Sequence, residues 1–303
     1  MMVFSLRPPA VVYAQSCGDT ITRSTTLTAD LIGCPGNGLV IGADHVRLNL
    51  NGHTVSGQGG GVGVLASGRR DVRVRNGTIQ QFGDAVRFEV GTTGSSVRNV
   101  VASGNTNGIV LDSSDANIVS GNTANSNGQH GIHLVSANDN EIDDNIATGN
   151  GSRGILLDLS SNNNQVTDNT TNNNGIDGII LGNGSNGNRV SGNTASANLI
   201  TGIVLFGVSN IRVNNNRTND NVSGGIFVFN SSTASRISNN QAHRNGSDGI
   251  GVEATDAATR LSGNRANDNG DLGIDAPGTI TDGGGNRASG NNNSLQCTGV
   301  RCR

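Results

Sequence analysis

The residues of this sequence best equipped for chemistry recur at a fixed interval. Asp84, Asn107, His130, Arg153 and Asp177 follow one another at 23, 23, 23 and 24 residues. Counted from the residue after each of these (Ala85, Gly108, Gly131, Gly154), His133 stands two places on, and Glu89, Asp112 and Asp158 stand four places on. If one interval is one repeat of the structure, Glu89 and Asp112 are stacked at roughly 5 Å. Carboxylates at that spacing can hold Ca²⁺ or work as an acid/base pair, so Glu89 with Asp112 is the expected calcium site. An arginine beside a substrate carboxylate neutralises it and acidifies the α-proton, which a histidine or aspartate can take. The bland alternative is a solvated face, since mixed charges on an exposed strand also block edge pairing.

The elements that must position these side chains are written in the same period. Gly followed by Ile recurs from Gly108 to Gly273 at intervals of 23 or 24 residues, and an Asn stands nine residues before each Gly, from Asn99 to Asn264. Asn76 keeps the same offset to Ala85. A second Asn column runs five residues later, from Asn127 to Asn269, and an aliphatic column runs from Val119 through Ile142, Val166 and Val190 to Leu261. Segments such as Gly-Ile-Val-Leu-Asp alternate apolar with polar residues, which is strand patterning. Short strands separated by Gly/Asn/Ser turns, repeated at this period with no helical stretch, bury a continuous core only by stacking. The expected fold is all-β: a single-stranded right-handed parallel β-helix of about ten coils, 23–24 residues each. Asn ladders hydrogen-bonded along the axis would hold its corners, in left-handed turn geometry.

Composition agrees. With no Trp, one Tyr and six Phe in 303 residues, the core must come from Val, Ile, Leu and Ala. All 20 basic residues are Arg, spread singly along the chain, and the net charge of −3 shows no nucleic-acid footprint. The lack of Lys removes lysine-based catalysis. No apolar run is long enough for a transmembrane helix. The four cysteines lie at the two ends of the chain, and in a stack rising ~4.8 Å per coil only the local pairs Cys17–Cys34 and Cys297–Cys302 can close. Such staples point to an oxidising location, secreted or periplasmic. Residues 1–16 read as a leader, with Val12-Tyr13-Ala14 similar to a signal-peptidase site. Residues 17–303 read as one domain, capped by 17–40 at the start and by the tail 282–303.

The Asn-x-x-x-x-Asn-x-x-x-Gly-Ile signature resembles the coils of the right-handed parallel β-helix repeat proteins of pectate-lyase-like and NosD-like type, over nearly the whole chain. The resemblance implies a carbohydrate groove on the outer face of one strand ladder, here the positions two and four after each Gly. Those positions divide into a charged half (Arg87, Glu89, Asp112, His133, Asp158) and an apolar half (Leu156, Ile180, Val204, Phe206, Phe227, Phe229). It further implies elimination or C5-epimerisation on uronates, with His130, Arg153, Asp112 and His133 catalytic and Asp84, Glu89, Asp158 and Asp177 binding. The polygalacturonase Asp-Asp context and the epimerase Tyr-Gly-Phe-Asp-Pro-His motif are absent, and Asp143-Asp144 falls in another part of the coil. The competing expectation is a non-catalytic structural, adhesive or NosD-like accessory solenoid that uses the apolar half as an exposed patch for a protein partner or self-association. His45, His53 and His243 read as surface or structural residues.

Overall fold

Alternating side chains and a repeat of 23 or 24 residues bring each strand beside its equivalent one coil away, as in Ile132–Val135 against Ile155–Asp158. The computed structural model describes residues 14–253 and 258–303, so most of the expected leader lies outside the described residues. The strands stack in parallel into a right-handed β-solenoid. One sheet has twelve strands, from Asp19–Ile21 to Ile274–Asp275. A second has a twelve-strand path from Thr25–Thr26 to Thr281–Asp282, with three further short strands beside it. A third, narrower face is stitched by single parallel pairings running from Thr123 through Ile146, Thr170 and Thr194 to Arg265. Twelve coils stand against about ten expected, because strands also form in the less regular segment from residue 19 to residue 41.

Inward positions carry Ile, Leu and Val, all fully buried along the first sheet from Ile109 to Ile274. Burying each contributes roughly 1.5–3 kcal/mol. The Gly before each Ile is required by contact, not by its φ. A Cβ on Gly178 would lie 2.7 Å from the Gly202 carbonyl oxygen and 2.8 Å from the Ala195 Cβ. The Gly column and the small column Ala124, Ala147, Thr171, Ala195, Thr218, Ala242 and Ala266 are therefore two sides of one close approach, and the small column is wholly buried.

The asparagine corners are saturated with hydrogen bonds. Asn145 Oδ1 accepts from Asn122 N and Nδ2, both at 3.0 Å, while Asn145 Nδ2 donates to Val119 O at 2.8 Å and to Asn169 Oδ1 at 3.0 Å. All four hydrogen-bonding positions of a buried amide are thus used. Two expectations need correction. The left-handed residue is the one before each ladder Asn, such as Asp144 (φ 53°) or Asp168 (φ 53°), so backbone and amide share the turn between neighbours. Asn76 and Asn99 are not ladder members: Val101 pairs with Thr123, which sets Asn99 opposite Gly121, and the ladder begins at Asn122. A third ladder, Asn117–Asn140–Asn164–Asn188, holds a corner that the two sequence columns did not include.

Disulfides join Cys17 to Cys34 and Cys297 to Cys302, one at each end of the stack. Among the described residues no helix is long and apolar enough to cross a membrane.

Candidate functional site

On the outer face of the first sheet, register places Arg87, Val110, His133, Leu156, Ile180, Val204 and Phe227 in one column. Glu89, Asp112, Val135 and Asp158 form the column beside it. The expected face is therefore assembled, but its two halves differ from the expectation in specific ways.

At the charged end Arg87 gathers the carboxylates. Its Nη1 donates to Asp84 Oδ2 at 2.9 Å, its Nε to Glu89 Oε2 at 2.8 Å, and its Nη2 to Asp112. Asp84 also accepts from Asn107 Nδ2 at 2.9 Å. The Glu89/Asp112 pair thus holds the Arg87 guanidinium where a calcium ion was expected, and with Arg87 in this position the pair does not fit a metal ion. Among the described residues no group of three or more His, Cys, Asp or Glu side chains is arranged for a metal ion.

One coil further, His130 and His133 meet edge to face, with ring centroids 5.0 Å apart. His130 is 9% exposed, and burial, followed by the neighbouring His133 and Arg153, pushes it down to about 4. His133 is lowered too, chiefly by burial, against the pull of Asp158 and Asp84. Both imidazoles are therefore neutral at neutral pH and able to accept a proton. Arg153 faces Asp177 at 3.6 Å, beyond hydrogen-bond length, and Asp177 is raised by burial with Arg153 opposing. Three buried nitrogens in this neighbourhood have no hydrogen-bond partner: His130 Nδ1, His133 Nε2 and Arg153 Nε. Buried polar groups are almost always paired, and Arg69 Nε, Asn125 Oδ1 and Thr259 Oγ1 are the same exception elsewhere in the solenoid; among the described residues, only here do two imidazoles and a guanidinium meet on adjacent coils.

The apolar half requires a correction. Leu156 and Val204 are buried, at 7% and 4% exposure, and Ile180, Phe206, Phe227 and Phe229 are half-buried, so they do not form the exposed patch expected. Ile176 and Ile200, two residues before their glycines, rise beside them as a wall and turn the ladder into the floor of a groove of about 440 Å³. Arg153, Asp158, Asp177 and Asn183 line the same groove. Phe206 and Phe229 pack edge to face at 5.2 Å. A second depression of about 430 Å³ shares Phe227 and Phe229 and reaches Asp248 and Asp275. The walls and Asn183 escaped sequence reasoning, although the Ile176/Ile200 column follows the same 24-residue interval as the glycines.

His45 and His53 are surface partners of Asp71 and Asp30, at 3.2 and 3.0 Å, and His243 Nδ1 accepts from Asn267 N at 3.0 Å. Asp144 occupies a left-handed turn, and Asp143 accepts from Thr167 in the second sheet, away from the groove.

The family model described as right handed beta helix region matches residues 37–195 and 183–295, and the chain belongs to that family. No curated protein matches the sequence. Among solved structures, the A-module of the Azotobacter vinelandii mannuronan C-5 epimerase AlgE4 is similar with a TM-score of 0.67 at 16% identity, covering 95% of this chain and 90% of that one. The Dettilon tailspike protein is similar with a TM-score of 0.70 at 16% identity, covering 90% and 60%. The DFA-IIIase of Arthrobacter chlorophenolicus A6 gives 0.57 at 12% identity, covering 80% and 71%. At these identities the likeness shows the fold.

Proposed function

We propose that the groove on the first sheet binds an acidic polysaccharide, and that the chain acts on it by elimination or C5-epimerisation outside the cytoplasm. The observation that carries this reading is the groove that Arg153, Asp158 and Asp177 line together with Phe206, Phe227 and Phe229, with the His130/His133 pair one coil away on the same sheet face. A uronate carboxylate would pair with the guanidinium of Arg153, which lines the groove and is held by Asp177 only at 3.6 Å. A neutral imidazole, His133 or His130, would take the C5 proton that Arg153 acidifies; in elimination the electron pair forms the C4–C5 double bond and expels the C4 oxygen, which water protonates, and in epimerisation water returns a proton to the opposite face of C5. Phe206, Phe227 and Phe229 along the floor offer apolar surface to sugar faces, and Asp158, Asp177 and Asn183 offer acceptors or donors to hydroxyls. The epimerase named among the similar folds adds support by analogy. The two terminal disulfides support an oxidising compartment.

The test is incubation with a panel of uronate polysaccharides, following unsaturated product by ultraviolet absorbance and C5 configuration by NMR. Turnover that falls at least a hundredfold in His133→Ala and Arg153→Ala is the expected result, the usual size of a lost acid/base or electrostatic contribution. Binding without turnover would assign the groove to a non-catalytic solenoid. Neither binding nor turnover would end the carbohydrate reading.

A further inference from the structure

Arginines that are scattered in the sequence are neighbours in the fold. Arg189, Arg212, Arg236 and Arg260 stand 23, 24 and 24 residues apart and pair directly in register on the outer face of the second sheet. All four are exposed, and the residues after them (Val190, Val213, Ile237, Leu261) are the buried core of the same strands. At roughly 4.8 Å per coil they form a straight row of positive charge about 14 Å long. Among the described residues none of the four makes an ion pair, and one hydrogen bond to a neighbour, Arg189 Nη2 to Ser191 Oγ at 3.3 Å, belongs to the row.

Folding does not require this row. Like charges directly opposite on adjacent strands are destabilising. The same column holds Ser96, Ile118, Glu141 and Gln165 in the four preceding coils with the strand pairing unchanged, and returns to arginine at Arg73, which is ion-paired to Asp71, and Arg47. A stack of unpaired cations that the scaffold neither needs nor neutralises is suited to a polyanion whose charges repeat along the axis.

We infer that this face is a second binding track, separate from the groove, for an extended acidic polysaccharide lying parallel to the solenoid axis. Three features select that class. The repeat of the row is close to the length of one pyranose residue in an extended chain, so successive arginines meet successive acidic sugars. Two residues beyond each Arg a parallel polar column runs from Ser191, which is buried and accepts from Arg189 and Asn214, to the half-buried Asn214, Ser238 and Ser262, whose amide and hydroxyl groups are suited to sugar hydroxyls. The four strands of the track carry no aromatic side chain, whereas tracks for single-stranded nucleic acid stack bases on aromatic rings. The track does not depend on the groove reading: it would bind polymer whether or not the groove does chemistry, and would hold a long chain against the protein.

The experiment measures binding of polygalacturonate, a neutral glucan, single-stranded DNA and duplex DNA across a salt series, with thermal melting as a control for folding. The proteins are the wild type, Arg212→Gln/Arg236→Gln, the fourfold Gln variant, and Arg153→Gln in the groove. Expected is a tenfold or greater loss of polygalacturonate affinity in the double variant and a larger one in the fourfold variant. The slope of log affinity against log salt should fall by roughly one per arginine removed. An unchanged affinity and slope in the fourfold variant would overturn the proposal, as would equal binding of the neutral glucan or tighter binding of either DNA. Loss in the ladder variants with none in Arg153→Gln keeps the track and removes the groove reading, and the reverse pattern removes the track and keeps the groove.

Discussion

The asparagine corner and the outer groove are built by the same device, side chains stacked at one per coil, yet they finish in opposite electrostatic states. In the corner the same residue recurs, and every amide hydrogen meets an acceptor: Asn169 accepts twice from Asn145 and donates to Ile142 O, Thr167 O and Asn193 Oδ1. On the outer face the residue changes from coil to coil, from His130 to Arg153 to Asp177, and buried nitrogens of His130, His133 and Arg153 make no hydrogen bond. The corner is therefore where stability is concentrated, and the groove is where the scaffold leaves polar capacity for something else. A repeat protein can carry both because each column is independent of the next one around the coil.

The sharpest way to break the comparison is at the corner. Asn169→Ala orphans the buried backbone N–H of Asn145, takes the acceptor from one of its two side-chain amide hydrogens, and leaves Ile142 O and Asn193 Oδ1 without the side-chain amide that donates to them. At 1–3 kcal/mol for each stranded group, with lost packing added, the expected cost is about 3–5 kcal/mol, read by denaturant or thermal unfolding. A cost below about 1 kcal/mol would show that the ladder is decorative.

A smaller effect, with a pH signature, is expected at His130. Its folded-state value of about 4 lies below the 6.5 of an unperturbed imidazole. The unfolded chain therefore binds the proton first as pH falls, so stability is full above pH 6.5 and is lost between 6.5 and about 4. The loss amounts to roughly 3 kcal/mol at most. His130→Asn, which repeats the Asn107 side chain of the preceding coil, should make the stability profile flatter over that window, with His133 supplying the slope that remains. Parallel profiles for the two proteins would show that His130 is not held neutral.

What the sequence made legible follows the same division. The Gly and Asn columns, the inward aliphatic residues and both disulfides could be read from spacing alone, since each is enforced in nearly every coil by contact or by hydrogen bonding. The groove was legible as a column but not as a shape. Leu156 and Val204 alternate outward as expected, yet both are buried, and Ile176 and Ile200 line the same groove beside them. The Arg87 cluster was hidden for a related reason: three carboxylates of suitable spacing were visible, but not that one guanidinium reaches all of them. The arginine row was hidden by adjacency in sequence, where Arg212 and Arg236 look isolated. The interval that revealed the glycines would have revealed them as well.

The central claim is that the groove lined by Arg153 is a ligand site, and the most direct measurement compares the wild type with Arg153→Gln for unfolding free energy and for affinity toward a short oligouronate. Arg153 is the ion-pair partner of the buried Asp177, so the account predicts a stability loss of about 1–3 kcal/mol that leaves the protein folded, together with at least a tenfold loss of affinity. Unchanged affinity, or a loss of stability large enough to account for the lost binding, would contradict it.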